Sequence, residues 1–272
     1  MSALLEASGI SHSSGGRLLI DRIDLAIGGG TFTIVLGPNG AGKSTLLRIL
    51  SGELAPSQGE VRLDGRPLRS IAPWRLAHSR AVMPQASDLS LPFTVFEVAS
   101  LGVEGIGRGL SRRDRQHLAQ AALEQADVAH LVHRNYQTLS GGERQRVHFA
   151  RVLAQLQAGR TVETRQVLFL DEPIASLDLK HQLALLQTAK SLARGGLAVV
   201  AVLHDLQLAA GVGDDLVLMN GGRLVTRGKP ETVLTPARLA EVFGVTLATA
   251  ALPPSPWTLS TTGLPSAEAE AP

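Results

Sequence analysis

Apolar residues along this chain gather into four short unbroken runs, at 33–36, 81–83, 167–170 and 197–203. A continuous run, as opposed to an alternation, is the mark of a strand buried on both faces of a parallel sheet. The first run leads into Gly37, the second into Pro84-Gln85, the third into Asp171-Glu172 and the fourth into His204-Asp205. In open α/β sheets ligands sit at the carboxyl ends of the strands, so four strand ends are expected to converge on one site. From 94 to 156 the period becomes helical, and the spacing predicts helices over 95–101, 112–126 and 142–156. Gly102, Gly105, Gly107 and Gly109 between the first two read as a flexible connection. The chain therefore reads as an α/β core, 1–86 and 157–250, carrying an inserted helical subdomain at about 87–156. Residues 251–272, rich in Pro, Ser, Thr, Ala and Glu, read as a loosely ordered tail. No internal repeat is present.

The stretch after the first run is Gly37-Pro38-Asn39-Gly40-Ala41-Gly42-Lys43-Ser44-Thr45, followed by the helical apolar positions Leu46, Leu47, Ile49 and Leu50. Strand, glycine turn and helix start together make a phosphate site. The glycines let backbone N–H groups curl round an anion, and the helix adds its unpaired N-terminal N–H groups and positive dipole end. Lys43 is placed to reach the β- and γ-phosphates and the Ser44 hydroxyl to ligate Mg²⁺. The chain is expected to bind a nucleoside triphosphate.

Composition narrows what surrounds that site. The chain has 272 residues and is 44% hydrophobic but only 3% aromatic, so its core must be built mainly of Leu, Val, Ile and Ala. A net charge of +2 gives no strong basic field, and no nucleic-acid partner is expected. The arginines of 112–115 read as a solvated helix start. There is no cysteine, which removes disulfides, thiolate metal sites and cysteine nucleophiles. No signal peptide is expected from residues 1–10, and no apolar stretch approaches the length of a membrane span.

Two further motifs extend the triphosphate chemistry. Asp171 closes a buried strand and is expected to hold the Mg²⁺ shell, with Glu172 next to it as the base for an attacking water. Leu139-Ser140-Gly141-Gly142-Glu143 opens a helix with a good N-cap and two glycines, a second anion site far from the first in sequence. A two-fold dimer explains the pair economically: each copy's second site closes over the triphosphate held by the other copy's first site.

The glycine loop, Gln85, Leu139-Ser140-Gly141-Gly142-Glu143, the 168–173 segment around Asp171-Glu172, Ser176-Leu177-Asp178 and His204 together resemble the nucleotide-binding subunit of an ATP-binding cassette (ABC) transporter, over residues 1 to about 245. The resemblance implies a P-loop NTPase fold: an α/β core with a mostly parallel sheet, an antiparallel β edge and an inserted α-helical subdomain, in one domain over 1–250. It implies ATP and Mg²⁺ as ligands, with Gln85 touching the metal and the water. It also implies Ser140, Gly141, Gly142 and Glu143 against the opposite copy's nucleotide, Ser176 to Asp178 linking the two sites, and His204 holding the γ-phosphate. The implied setting is a homodimer on the cytoplasmic face of the inner membrane, bound to two transmembrane permease subunits. A periplasmic substrate-binding protein would take part indirectly.

The chain departs from the family in two places. The family stacks adenine on an aromatic residue upstream of the glycine loop; here that stretch is His12-Ser13-Ser14-Gly15-Gly16, and His12 is the flat ring at hand. Ile174 stands where Thr or Ser is common, a change expected to leave the chemistry intact. The glycine-rich stretch from Asn220 to Pro230 and the single cassette resemble import-type subunits. The segment 90–98, Asn135-Tyr136, the segment 150–156 and a link from Gln155 to Val167 longer than the family norm are similar to the ATPases of haem importers. The ATPases of ferric-siderophore and vitamin B12 importers are the nearest rivals, an exporter subunit keeps the same chemistry, and a non-transport ABC protein acting on ribosome or DNA is the reading from another class. His130 and His133, three apart, read as a solvent-facing helix end with no haem role.

Overall fold

The computed structural model describes residues 3–85, 92–107 and 109–245. The expected tail at 251–272, and Ser90 and Leu91 of the haem-importer-like segment, lie outside the described residues. The chain opens with strands β1 (Leu5–Ser14), β2 (Arg17–Ile27) and β3 (Phe32–Leu36), then helix α1 (Lys43–Leu50). Strands β4 (Gln58–Leu63) and β5 (Arg66–Pro67), helix α2 (Pro73–Ser79) and strand β6 (Arg80–Met83) complete the first part of the core. Helices α3 (Val95–Glu104), α4 (Arg112–Gln125) and α5 (Gly141–Gly159) form the insertion. Strand β7 (Val167–Asp171), helix α6 (Leu179–Arg194), strand β8 (Ala198–Val202) and helix α7 (Leu206–Val212) return to the core. Strands β9 (Asp215–Asn220) and β10 (Arg223–Gly228) and helices α8 (Pro230–Val233) and α9 (Pro236–Phe243) follow.

The central sheet has the order β10-β9-β3-β8-β7-β6, parallel throughout except for β10, which pairs antiparallel with β9. All five residues of β3, β7 and β8 are buried, as their unbroken apolar runs require. A second, antiparallel sheet of order β2-β1-β4-β5 supplies the expected β edge. Between the sheets α1 buries Leu46, Leu47, Ile49 and Leu50 against Val35, Phe169, Val200 and the inner face of β1 and β2. The other face of the central sheet packs on α6 and α7, and its core continues into the helical insertion through Val147, Phe149 and Leu153 of α5.

The insertion starts where local chemistry starts a helix. Thr94, Ser111 and Ser140 cap α3, α4 and α5, and the first and last close a full capping box with Glu97 and Glu143. The reading of 102–109 as a flexible connection fails at its first residue. Gly102 is buried inside α3, and a Cβ on it would lie 2.1 Å from the Arg151 carbonyl oxygen of α5. Glycine is there to let two helix backbones touch, not to loosen the chain. Gly102→Ala should therefore destabilise the domain by about 1–3 kcal/mol, seen as a lower midpoint in urea at unchanged slope. An unchanged midpoint would remove this contact from the account.

Candidate functional site

The turn between β3 and α1 is shaped by its glycines. Gly42, the residue before α1, has φ 94, and a Cβ there would sit 2.7 Å from the Leu19 carbonyl oxygen of β2. Only glycine fits that combination of left-handed backbone and close approach. Lys43 begins the helix, and its buried ammonium donates to the carbonyl oxygens of Gly37 at 2.8 Å and Pro38 at 2.9 Å. The loop and its lysine thus form one closed ring of contacts. Burial draws the Lys43 ammonium below the usual lysine range, opposed by the carboxylates of Glu172 and Asp171.

The end of β7 meets this ring, and the ends of β6 and β8 meet that of β7. Ser44 Oγ donates to Asp171 Oδ1 at 3.0 Å, joining the start of α1 to the end of β7. Asp171 is buried, and burial pushes its carboxyl above the ordinary range; the Ser44 hydrogen bond pulls it down and the nearby Glu172 raises it. Serine hydroxyl and carboxylate are hard oxygen donors, the set that Mg²⁺ prefers, and a buried carboxylate with no cationic hydrogen-bond partner among the described residues suits a divalent cation. The residues present fit that ion.

Glu172 leaves the strand abruptly. Its φ of 48 is left-handed, while its N–H still bonds the Val202 carbonyl of β8 at 3.2 Å. A non-glycine residue in that region costs on the order of 1–3 kcal/mol and persists only where surroundings hold it. Here they do. Gln85 Nε2, two residues beyond β6, donates to Glu172 Oε2 at 2.8 Å, and His204 Nε2, just after β8, lies 2.6 Å from Glu172 Oε1. A carboxylate can only accept, which places the imidazole proton on Nε2. Gln145 of α5 donates to the Glu172 carbonyl oxygen at 3.2 Å. Gln145 escapes sequence reasoning, because a glutamine inside a helix carries no pattern of its own.

The second anion motif stands apart from this cluster. Ser140 Oγ accepts from the Glu143 N–H at 3.3 Å, and Glu143 Oε2 accepts from the Ser140 N–H at 2.7 Å and from its hydroxyl at 2.8 Å. Those bonds from Ser140 hold the Glu143 carboxyl below its ordinary range, with Arg134 and Arg146 adding to the effect. Glu143 is thus turned back onto the helix start, while Ser140 and Gly141 are exposed. Gly141 and Gly142 pack on Ser176: a Cβ on Gly142 would lie 3.0 Å from the Ser176 carbonyl oxygen. Asp178 caps α6, its carboxylate accepting the His181 N–H at 3.0 Å. Ile174 and Leu177 are buried in the main core.

His12 lies on β1 opposite Ile20, whose side chain abuts Gly42, so it is near the phosphate loop. Its ring nitrogen Nδ1 is 3.1 Å from the Ala55 carbonyl oxygen. No helix among the described residues is long and apolar enough to cross a membrane.

Known proteins resemble this chain in sequence and in shape. A family model described as ABC transporter matches residues 20–175. The hemin import ATP-binding protein HmuV of Rhodopseudomonas palustris strain BisA53 is 48% identical over 248 residues, covering 91% of this chain and 90% of that protein. The protein of the same name from Hahella chejuensis is 47% identical over 242 residues, 89% of this chain and 93% of its own length. Among solved structures, the dimeric form of MJ0796, a bacterial ABC transporter cassette, superposes with a TM-score of 0.73 at 25% identity, over 83% of this chain and 98% of that one. At this identity and this coverage, the chain belongs to the ABC transporter family.

Proposed function

We propose that this chain is the ATP-hydrolysing subunit of an importer that drives hemin through a separate membrane permease. The observation that carries the ATPase half is the junction of Lys43, Ser44-Asp171 and Glu172-His204-Gln85 at neighbouring strand ends. The hemin half is supported by relatives named hemin import ATP-binding protein, up to 48% identical over nine-tenths of the chain.

Two copies work as a pair, each triphosphate lying between residues 37–45 of one copy and Ser140, Gly141 and Gly142 of the other. The pair sits on the cytoplasmic face of the membrane against two permease subunits, and a substrate-binding protein delivers hemin from the far side. Lys43 exchanges its bonds to the Gly37 and Pro38 carbonyls for β- and γ-phosphate oxygens. Ser44, Gln85 and Asp171 would hold Mg²⁺, and the bound ion would supply neutralisation of phosphate charge. Glu172 accepts the proton of the attacking water as the water oxygen bonds to the γ-phosphorus and the bond to the β-phosphate oxygen breaks. His204 Nε2–H, shared with Glu172, turns to a γ-phosphate oxygen. Adenine rests near the β1–β2 edge, where His12 offers a ring. The motion passes to the permease through Gln85 and the helical insertion.

Reconstitution with the cognate permease and binding protein in ATP-loaded vesicles tests the cargo. Hemin should accumulate only with ATP, and hemin-loaded binding protein should raise ATP hydrolysis. Stimulation by cobalamin or a ferric siderophore but not by hemin would reassign the cargo and leave the ATPase standing.

A further inference from the structure

Asp178, His181, Asp127 and Arg146 form a polar chain outside the strand-end cluster. The Asp178 carboxylate accepts from the His181 backbone N–H and, at 2.7 Å, from the His181 ring nitrogen Nδ1. Since a carboxylate only accepts, Nδ1 carries the ring proton. The other ring nitrogen, Nε2, lies 3.6 Å from Asp127 Oδ2, longer than a hydrogen bond but within reach of an ion pair when Nε2 carries a proton as well. Asp127 follows the end of α4 with its backbone turned left-handed, at φ 55. Its carbonyl and its carboxylate both receive Arg146 of α5, whose side chain is only 12% exposed. His181 therefore stands between the start of α6 in the core and the helical insertion, and through Asp127 it reaches the helix that Ser140, Gly141 and Gly142 open.

The segment before the Asp178 cap needs such a tie. Ser176 packs on Gly141 with its side chain and on Gly142 with its carbonyl oxygen, contacts that resist compression but not sliding. Directional hydrogen bonds fix register where packing leaves it free, and a displacement of about 1 Å at a phosphate-transfer site can cost two orders of magnitude in rate. We propose that His181 is a positioning residue for the two-copy ATP site: it sets the Asp178 side chain at the seam and ties that seam, through Asp127 and Arg146, to the helix that contacts the partner's nucleotide. The two flanks of the half-site offered to the other copy then move as one. This rests on the two-copy reading above and adds to it the device that holds each half together.

The test compares His181→Ala, His181→Asn, Asp127→Asn and the double variant His181→Ala/Asp127→Asn in the full chain, by steady-state ATP hydrolysis and thermal melting. His181→Ala should lower kcat about tenfold, within the range of couplings between contacting residues. The KM for ATP should stay within about twofold, because Lys43 and Ser44 are untouched. His181→Asn, whose amide N–H takes the place of Nδ1–H toward Asp178 but has no counterpart of Nε2 toward Asp127, should recover part of the loss. The double variant should be no slower than the slower single one. A wild-type kcat in His181→Ala, a change in KM larger than that in kcat, no recovery in His181→Asn, or losses that multiply in the double variant would each overturn the proposal. Should His181→Ala fail to fold, His181→Asn with and without Asp127→Asn decides: predicted equal, overturned if the second substitution lowers kcat further. Light scattering on Glu172→Gln with ATP separates this from the underlying reading. A Glu172→Gln chain that never pairs overturns the two-copy site, and a pairing one with unchanged His181→Ala kinetics overturns the positioning role alone.

Discussion

Glu172→Gln should bind ATP as tightly as the parent and hydrolyse it at least about a hundredfold more slowly, since a positioned general base contributes roughly 10²–10⁴ in rate. The reason lies in how the side chain is held. Its two carboxylate oxygens are reached by Gln85 at 2.8 Å and His204 at 2.6 Å, and its backbone is turned out of β7 in a left-handed conformation. An amide of the same shape keeps the size and can keep a hydrogen bond to either neighbour. It cannot take a proton from water. Nothing in the Lys43 ring is touched, so the affinity for ATP has no cause to fall. Stopped hydrolysis also leaves the γ-phosphate in place, and copies that need it as their joint should stay closed. The pair of measurements is equilibrium binding of a fluorescent ATP analogue and phosphate release. A variant that releases phosphate at the parental rate would take the base assignment away from Glu172.

Lys43→Ala should lose both properties. The ammonium is buried and bonded to two carbonyl oxygens of its own loop, and in the proposed function it is the cation that meets the β- and γ-phosphates. Removing one preorganised electrostatic contact from a phosphoryl-transfer site costs about 10²–10³ in rate. Affinity should fall with it, because this contact exists in the ground state as well as in the transition state. The contrast between the two variants is informative: loss of turnover alone at Glu172, loss of turnover and binding at Lys43. Parental turnover in Lys43→Ala would exclude residues 37–45 as the triphosphate site.

The parts legible in the sequence are those with strong local causes. A residue buried on both faces has to be apolar, so β3, β7 and β8 stand out as unbroken runs, within a residue of the ends predicted for them. Ser140 announces its helix because an unpaired N–H needs an acceptor, a signal that Thr94 and Ser111 carry as well in the structure. The antiparallel sheet is far less visible. β1 runs Leu-Glu-Ala-Ser-Gly-Ile-Ser-His-Ser-Ser, and its pairing shifts register on both flanks, so the alternation that would mark it is broken. Gly102 misleads for a different reason: its role is set by Arg151, far along the chain, and nothing local distinguishes a contact glycine from a hinge glycine. The site divides the same way. Lys43, Ser44, Asp171 and Glu172 follow from motif chemistry. Gln85 and His204 gain meaning from the family's pattern, and Gln145, Asp127 and His181 emerge only when folding sets them beside Glu172 and Asp178.

The account stands on an ATP site completed by a second copy of the chain. The mass of Glu172→Gln in solution, followed by light scattering with Mg²⁺ and either ATP or ADP, measures that directly. The account predicts twice the mass of one chain with ATP and the mass of one chain with ADP. A single-chain mass under conditions where ATP binding is saturated would contradict it.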